Sequence, residues 1–119
     1  MGLEPIAEKR IRQAFAEVGL ERGGEFFVPP SAADRYIDTC VQESLAIVGV
    51  ETFRLEGEKL KPILEQIADF SSMLTATEGW GVIVRETAAE ALRFVRQVPT
   101  EADVLLSFTL LSEQEQRSG

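Results

Sequence analysis

Histidine is missing from the 119 residues altogether, which removes the side chain best suited to proton transfer at neutral pH and the commonest transition-metal ligand. Ser-His-Asp and Cys-His mechanisms are excluded, and a zinc ion would have only one thiol and carboxylates to hold it. No metal and no cofactor are expected. Cysteine occurs once, as Cys40, so no internal disulfide can form, in keeping with a reducing compartment. Long apolar runs are lacking too. Stretches such as Val104-Leu105-Leu106 fall far short of the roughly 20 residues that cross a bilayer.

The first residues, Met1 to Ile6, contain no basic region followed by an apolar stretch, so no secretory signal is read. Gly2 would suit myristoylation, but Ile6 stands where that motif needs Ser or Thr. A cytoplasmic location is the resulting expectation. Glycine-rich phosphate cradles are also absent: Gly23-Gly24 precedes a phenylalanine-rich stretch, and Gly79-Trp80-Gly81 matches no phosphate-binding spacing. Both read as turns.

What the chain does contain is an ordinary globular balance, with 45% apolar and 27% charged residues. One domain is expected over residues 1–112, followed by a polar tail at 113–119. Twenty acidic against twelve basic side chains give a formal net charge of -8. That field opposes binding to nucleic acid or to an anionic membrane and favours a basic protein partner. Acids outnumber bases in every part of the chain, so charge alone singles out no site.

Periodicity gives the elements. Ala7, Ile11, Ala14, Phe15 and Val18 repeat at helical spacing after Pro5 and before Gly19. Phe26, Phe27 and Val28 anchor a loop or short edge strand. Ser31 stands as an N-cap before a second helix along Ala33, Tyr36, Ile37, Cys40, Val41 and Leu45. Val50 to Leu55 reads as a strand. Leu60, Ile63, Leu64, Ile67 and Phe70 fall on a helical stripe, which predicts a third helix from about Lys59 to Ser71, with Pro62 in its first turn.

Trp80 to Arg85 reads as a second strand, Thr87 to Glu90 as the capping box of a fourth helix ended by Pro99, and Val104 to Leu111 as a third, well-buried strand. The resulting class is α+β with α/β-like connections, in the order α-α-β-α-β-α-β. It implies a small mixed sheet of three or four strands, with at least one parallel pair, covered by about four helices. Open sheet edges make a homodimer compatible with this architecture.

Cys40 lies on the apolar stripe of the second helix and reads as a packed hydrophobe. The segment from Asp69 to Trp80 is the most suggestive recognition surface: Asp69, Ser71, Ser72, Met73, Glu78 and Trp80 combine acids, hydroxyls, a thioether and the only tryptophan. Small size, acidic balance and missing catalytic apparatus together resemble the acidic immunity proteins that neutralise basic bacterial toxins, a likeness carried by composition. The first reading is therefore a non-enzymatic protein-binding module, an inhibitor or immunity protein. Two alternatives stand beside it. One is a small-molecule binding or sensing domain with an apolar pocket near Tyr36, Phe53 and Trp80. The other is a carboxylate-dependent hydrolase using acids such as Asp69, Glu78 and Glu86.

Overall fold

The computed structural model describes residues 6–75 and 79–118. Four helices, α1 (Ile6–Ala14), α2 (Pro30–Gln42), α3 (Trp80–Val95) and α4 (Glu113–Ser118), accompany five strands, β1 (Leu20–Arg22), β2 (Glu25–Val28), β3 (Ala46–Glu56), β4 (Lys59–Asp69) and β5 (Val104–Leu111). A short 3-10 turn covers Ser71–Thr75. The strands form one sheet in the order β1-β2-β5-β3-β4, and every neighbouring pair is antiparallel.

The α+β class holds, but the sheet has five strands and no parallel neighbours. Two segments account for the difference. Lys59 to Asp69, expected as a helix, is the return arm of a hairpin with β3, closed by a tight turn in which Gly57 takes φ +64°. Trp80 to Arg85, expected as a strand, is the first part of α3. The stripe Ile83, Val84, Thr87, Ala88, Ala91 and Val95 is buried continuously along that helix, so Thr87 stands in its interior and not at a cap.

Crossovers do occur, but between other strands than those expected, each spanning one intervening strand. Helix α2 links β2 to β3 with β5 between them, and α3 links β4 to β5 with β3 between them. The connected strands run parallel without being neighbours. Both helices therefore pack on one sheet face, where Ile37, Cys40, Ile47, Val50, Ala91 and Leu106 form the core. Ser31 lies inside α2, whose N-cap is Pro29 without a side-chain bond. Of the first helix's stripe, Ile11 and Phe15 are buried while Val18 is 45% exposed; Pro5 lies outside the described residues. The segment expected as a polar tail is helical from Glu113 to Ser118. No helix among the described residues is long and apolar enough to cross a membrane.

On the other face, Phe27, Ser107, Glu51 and Ile67 lie in register across the sheet, so their side chains share one side. Phe27 meets Phe53 edge to face at 5.2 Å and is buried on this face. The cover comes from the sheet itself. Arg22 on the outer strand β1 donates to the carbonyl of Glu58, in the turn at the opposite sheet edge, at 2.6 Å. The β3–β4 hairpin therefore curls back across this face.

Candidate functional site: a fork between two strands

β2 has four residues, yet it pairs with β5 only at Phe27↔Ser107 and Val28↔Leu106. Toward its start it stays with β1, through Phe26 and Glu25, and leaves β5. The two strands thus part like a fork. Between them lies a cleft of about 270 Å³, bounded by Gly24, Glu25 and Phe26 on one side and Ser107 to Leu110 on the other.

An aromatic wedge lies at the base of this fork. Tyr36, delivered from the buried face of α2, stands 4.8 Å from Phe108 and 6.4 Å from Phe26, ring centre to ring centre, while Phe15 meets it edge-on at 5.3 Å. Phe26 belongs to the parting strand and Phe108 to the strand it leaves. Such a cluster is large enough to hold two strands apart and to repay the lost ladder bonds by burial and ring contact.

Four consecutive β5 residues line the cleft. A strand presents alternate residues to each face, so consecutive lining means that the cleft runs along the strand's edge. The rim is polar. Glu8 and Arg12 of α1 border the opening, Glu25 accepts the Ser107 hydroxyl at 3.1 Å, and Arg12 lies 3.7 Å from Glu21.

The residues singled out from the sequence lie elsewhere. Asp69 ends β4, and its carboxylate accepts the Ser71 amide at 2.9 Å, which holds the acid below its ordinary value. Ser71, Ser72 and Met73 follow in the 3-10 turn, where the Thr75 hydroxyl donates to the Ser72 carbonyl. Ser71 and Ser72 are exposed and Met73 is half-buried. Glu78 lies outside the described residues. Trp80 opens α3, half-buried against Ala46, Ile83 and Val84, and donates to the Ser44 carbonyl at 2.8 Å.

Tyr36, Phe53 and Trp80, expected around one apolar pocket, are not brought together. Tyr36 belongs to the aromatic wedge, Phe53 to the curled face with Phe27, and Trp80 to the separate cluster beside α3. Glu86 is on the exposed side of α3. Burial pushes the Cys40 thiol far up, out of the reactive range.

Sequence reasoning passed over Glu8, Glu25 and Phe108 to Leu110, and no local signal marks them. The parting of two strands is a tertiary outcome, and Gly23-Gly24 announces only the β1–β2 turn. Among the described residues no three His, Cys, Asp or Glu side chains gather where they could hold a metal ion. Comparison with protein-family models, curated proteins and solved structures finds no match to this chain, so its own geometry carries the functional reading.

Proposed function

We propose that this chain is a non-enzymatic protein-binding module that takes an extended, basic segment of its partner into the fork between β2 and β5. The observation that carries this reading is the uncovered edge of β5 along the cleft. An exposed strand edge supplies backbone donors and acceptors that a peptide can pair with, and the cleft beside it receives alternate side chains. The rim carries two acids, Glu8 and Glu25, against one base, Arg12, and together with the net charge of -8 this favours lysine or arginine at the polar positions. An inhibitor or immunity protein that neutralises a basic partner fits this pattern.

A small-molecule site is less well supported. At about 270 Å³ the cleft falls just under the ~300–1,000 Å³ typical of such pockets. For the hydrolase alternative, the Asp69 carboxylate is tied to the Ser71 amide and Glu86 is on the exposed side of α3.

The test is a titration of isotope-labelled protein with synthetic extended peptides that alternate Lys with Leu or Glu with Leu. The Lys peptides should shift the amide signals of Phe108, Thr109 and Leu110, and binding should weaken steeply as salt rises. Glu25→Lys should lower the affinity and flatten the salt dependence. Equal binding of the Glu peptides, or shifts confined to other strands, would refute the reading.

A further inference from the structure

The fork between β2 and β5 has a blind end. In the plane of the sheet it stops where Phe27 rejoins Ser107. On the helix side it is closed by Tyr36, whose ring stands against both Phe26 and Phe108. On the opposite side it is closed by Glu25 and Ser107. Glu25 lies two residues before Phe27 and so points to the same face as Ser107, and its carboxylate accepts the Ser107 hydroxyl across the gap at 3.1 Å. A chain laid along β5 therefore cannot run on past Ser107. It has to end there.

A polypeptide ends in an ammonium group or in a carboxylate, and the blind end distinguishes the two. The Glu25 carboxylate is exposed at the cleft and has lone pairs to spare beyond the one that takes the Ser107 hydroxyl, while an ammonium group brings three donors. A terminal carboxylate would instead meet a like charge, which costs affinity. Arg12, the base on the rim, is engaged by Glu21 at 3.7 Å.

We infer that the fork captures the free N-terminus of its partner, with the α-ammonium group held by Glu25 at the blind end and the first few residues laid outward along β5 toward Leu110. This rests on the reading of the fork as a peptide site and narrows it from an extended basic segment to the start of a chain. The direction follows from the geometry. A chain that begins at Ser107 and leaves toward Leu110 runs parallel to β5 and antiparallel to β2. At about 270 Å³ the cleft admits only a short stretch, so the end group is a substantial part of what it can recognise.

The experiment titrates the isotope-labelled full chain with two Lys–Leu alternating peptides of equal length and equal net charge. One is acetylated at its N-terminus; the other keeps its free amine and has one internal Lys replaced by Gln. The acetylated peptide should bind about tenfold more weakly, because it loses charge-assisted bonds to Glu25. Glu25→Gln retains an acceptor for the Ser107 hydroxyl, and circular dichroism checks its folding. In that variant the two affinities should come within about twofold of each other. Equal binding of the two peptides to the wild-type chain, with the Phe108, Thr109 and Leu110 amides shifted, would overturn N-terminal capture and leave the fork reading standing. A tenfold gap that survives Glu25→Gln would overturn it as well. Failure of both peptides to bind would overturn both readings.

Discussion

The indole nitrogen of Trp80 donates to the carbonyl of Ser44 at 2.8 Å, and Ser44 is held at φ +59°. Ser44 follows the last turn of α2: its amide bonds the Val41 carbonyl and the next amide, Leu45, bonds the Cys40 carbonyl. This is the reverse-turn ending that helices usually build on glycine. Trp80 therefore fixes the start of α3 to the end of α2 through a backbone conformation that serine adopts at a cost.

Two substitutions separate these contributions. Ser44→Gly removes the side-chain penalty of the left-handed conformation and should stabilise the fold by up to about 1 kcal/mol, since the carbonyl that Trp80 uses is retained. Trp80→Phe keeps an apolar ring against Ala46, Ile83 and Val84 but loses the donor, and should cost about 0.5–1.5 kcal/mol. Equilibrium urea unfolding of both variants measures the difference. A destabilised Ser44→Gly would show that the serine hydroxyl matters more than the backbone.

Thr87 makes a second tie between helix and sheet. It is fully buried in α3, donates to the Ile83 carbonyl at 2.9 Å and accepts the Ile47 amide at 3.1 Å. The β3–β5 register shifts between Ile47 and Gly49, so Thr87 supplies an acceptor where the ladder is interrupted. Thr87→Val preserves shape and leaves that amide buried without a partner, which should cost about 1–3 kcal/mol. Thr87→Ser should lose only a methyl group, about 1 kcal/mol. Hydrogen exchange at Ile47 distinguishes them: protection should fall in the valine variant and persist in the serine variant.

These ties also show what was legible in the sequence. Val104 to Leu111 was read with its boundaries intact, because a strand buried near the sheet centre shows both β-branched and alternating apolar residues. Helix α2 was legible from its one apolar face, though it starts before Ser31 and ends before Leu45. β4 misled because its bulge interrupts strand alternation: Leu60 and Pro62 share the face of Leu55 and Phe53, and after the bulge Ile67 returns to the face of Glu51. Across that gap Leu60, Ile63, Leu64 and Ile67 imitate a helical stripe.

Trp80 to Arg85 misled for the opposite reason. Val82, Ile83 and Val84 favour strands intrinsically, and tertiary burial against Ala46 overrides that preference. A capping box does exist, but at the end of the chain. Ser112 and Glu115 exchange reciprocal bonds of 2.8 and 3.1 Å at the start of α4. The fork between β2 and β5 had no sequence signature, since it depends on three aromatic rings from separate elements meeting at Tyr36.

Cys40 offers a probe of local opening. It is completely buried on α2, and burial is the first cause of its raised pKa, with repulsion from Glu8 adding to it. A thiol in that state reacts only when the helix face leaves the core. In native buffer an aromatic disulfide reagent should modify Cys40 far more slowly than it modifies the urea-unfolded chain, and Tyr36→Ala should accelerate the native reaction by loosening the same face. A native rate equal to the unfolded one would place the thiol at the surface.

The last prediction concerns acid. Arg54, at the end of β3, donates to Asp103 at 2.7 Å and to Glu101 at 3.0 Å, tying the hairpin to the segment that enters β5. The bond from Arg54 is the main cause that holds the Asp103 carboxyl below its ordinary value, and the same bond raises the guanidinium. Because the folded value lies below the unfolded one, near 3.9, the contribution of Asp103 is present above that pH and disappears as pH falls through the folded value. Arg54 keeps its charge throughout this range, so the loss comes from the carboxylate alone. Solvent exposure of the pair keeps the effect modest and salt-sensitive. Stability measured by urea unfolding should therefore decline below about pH 4 in the wild-type chain, and Asp103→Asn should decline less steeply there while being less stable at neutral pH. Parallel curves for the two proteins in acid would show that the Arg54 bond makes no difference to the folded state, and the hairpin's attachment would then rest on the Leu55 amide bond to the Asp103 carbonyl at 2.7 Å.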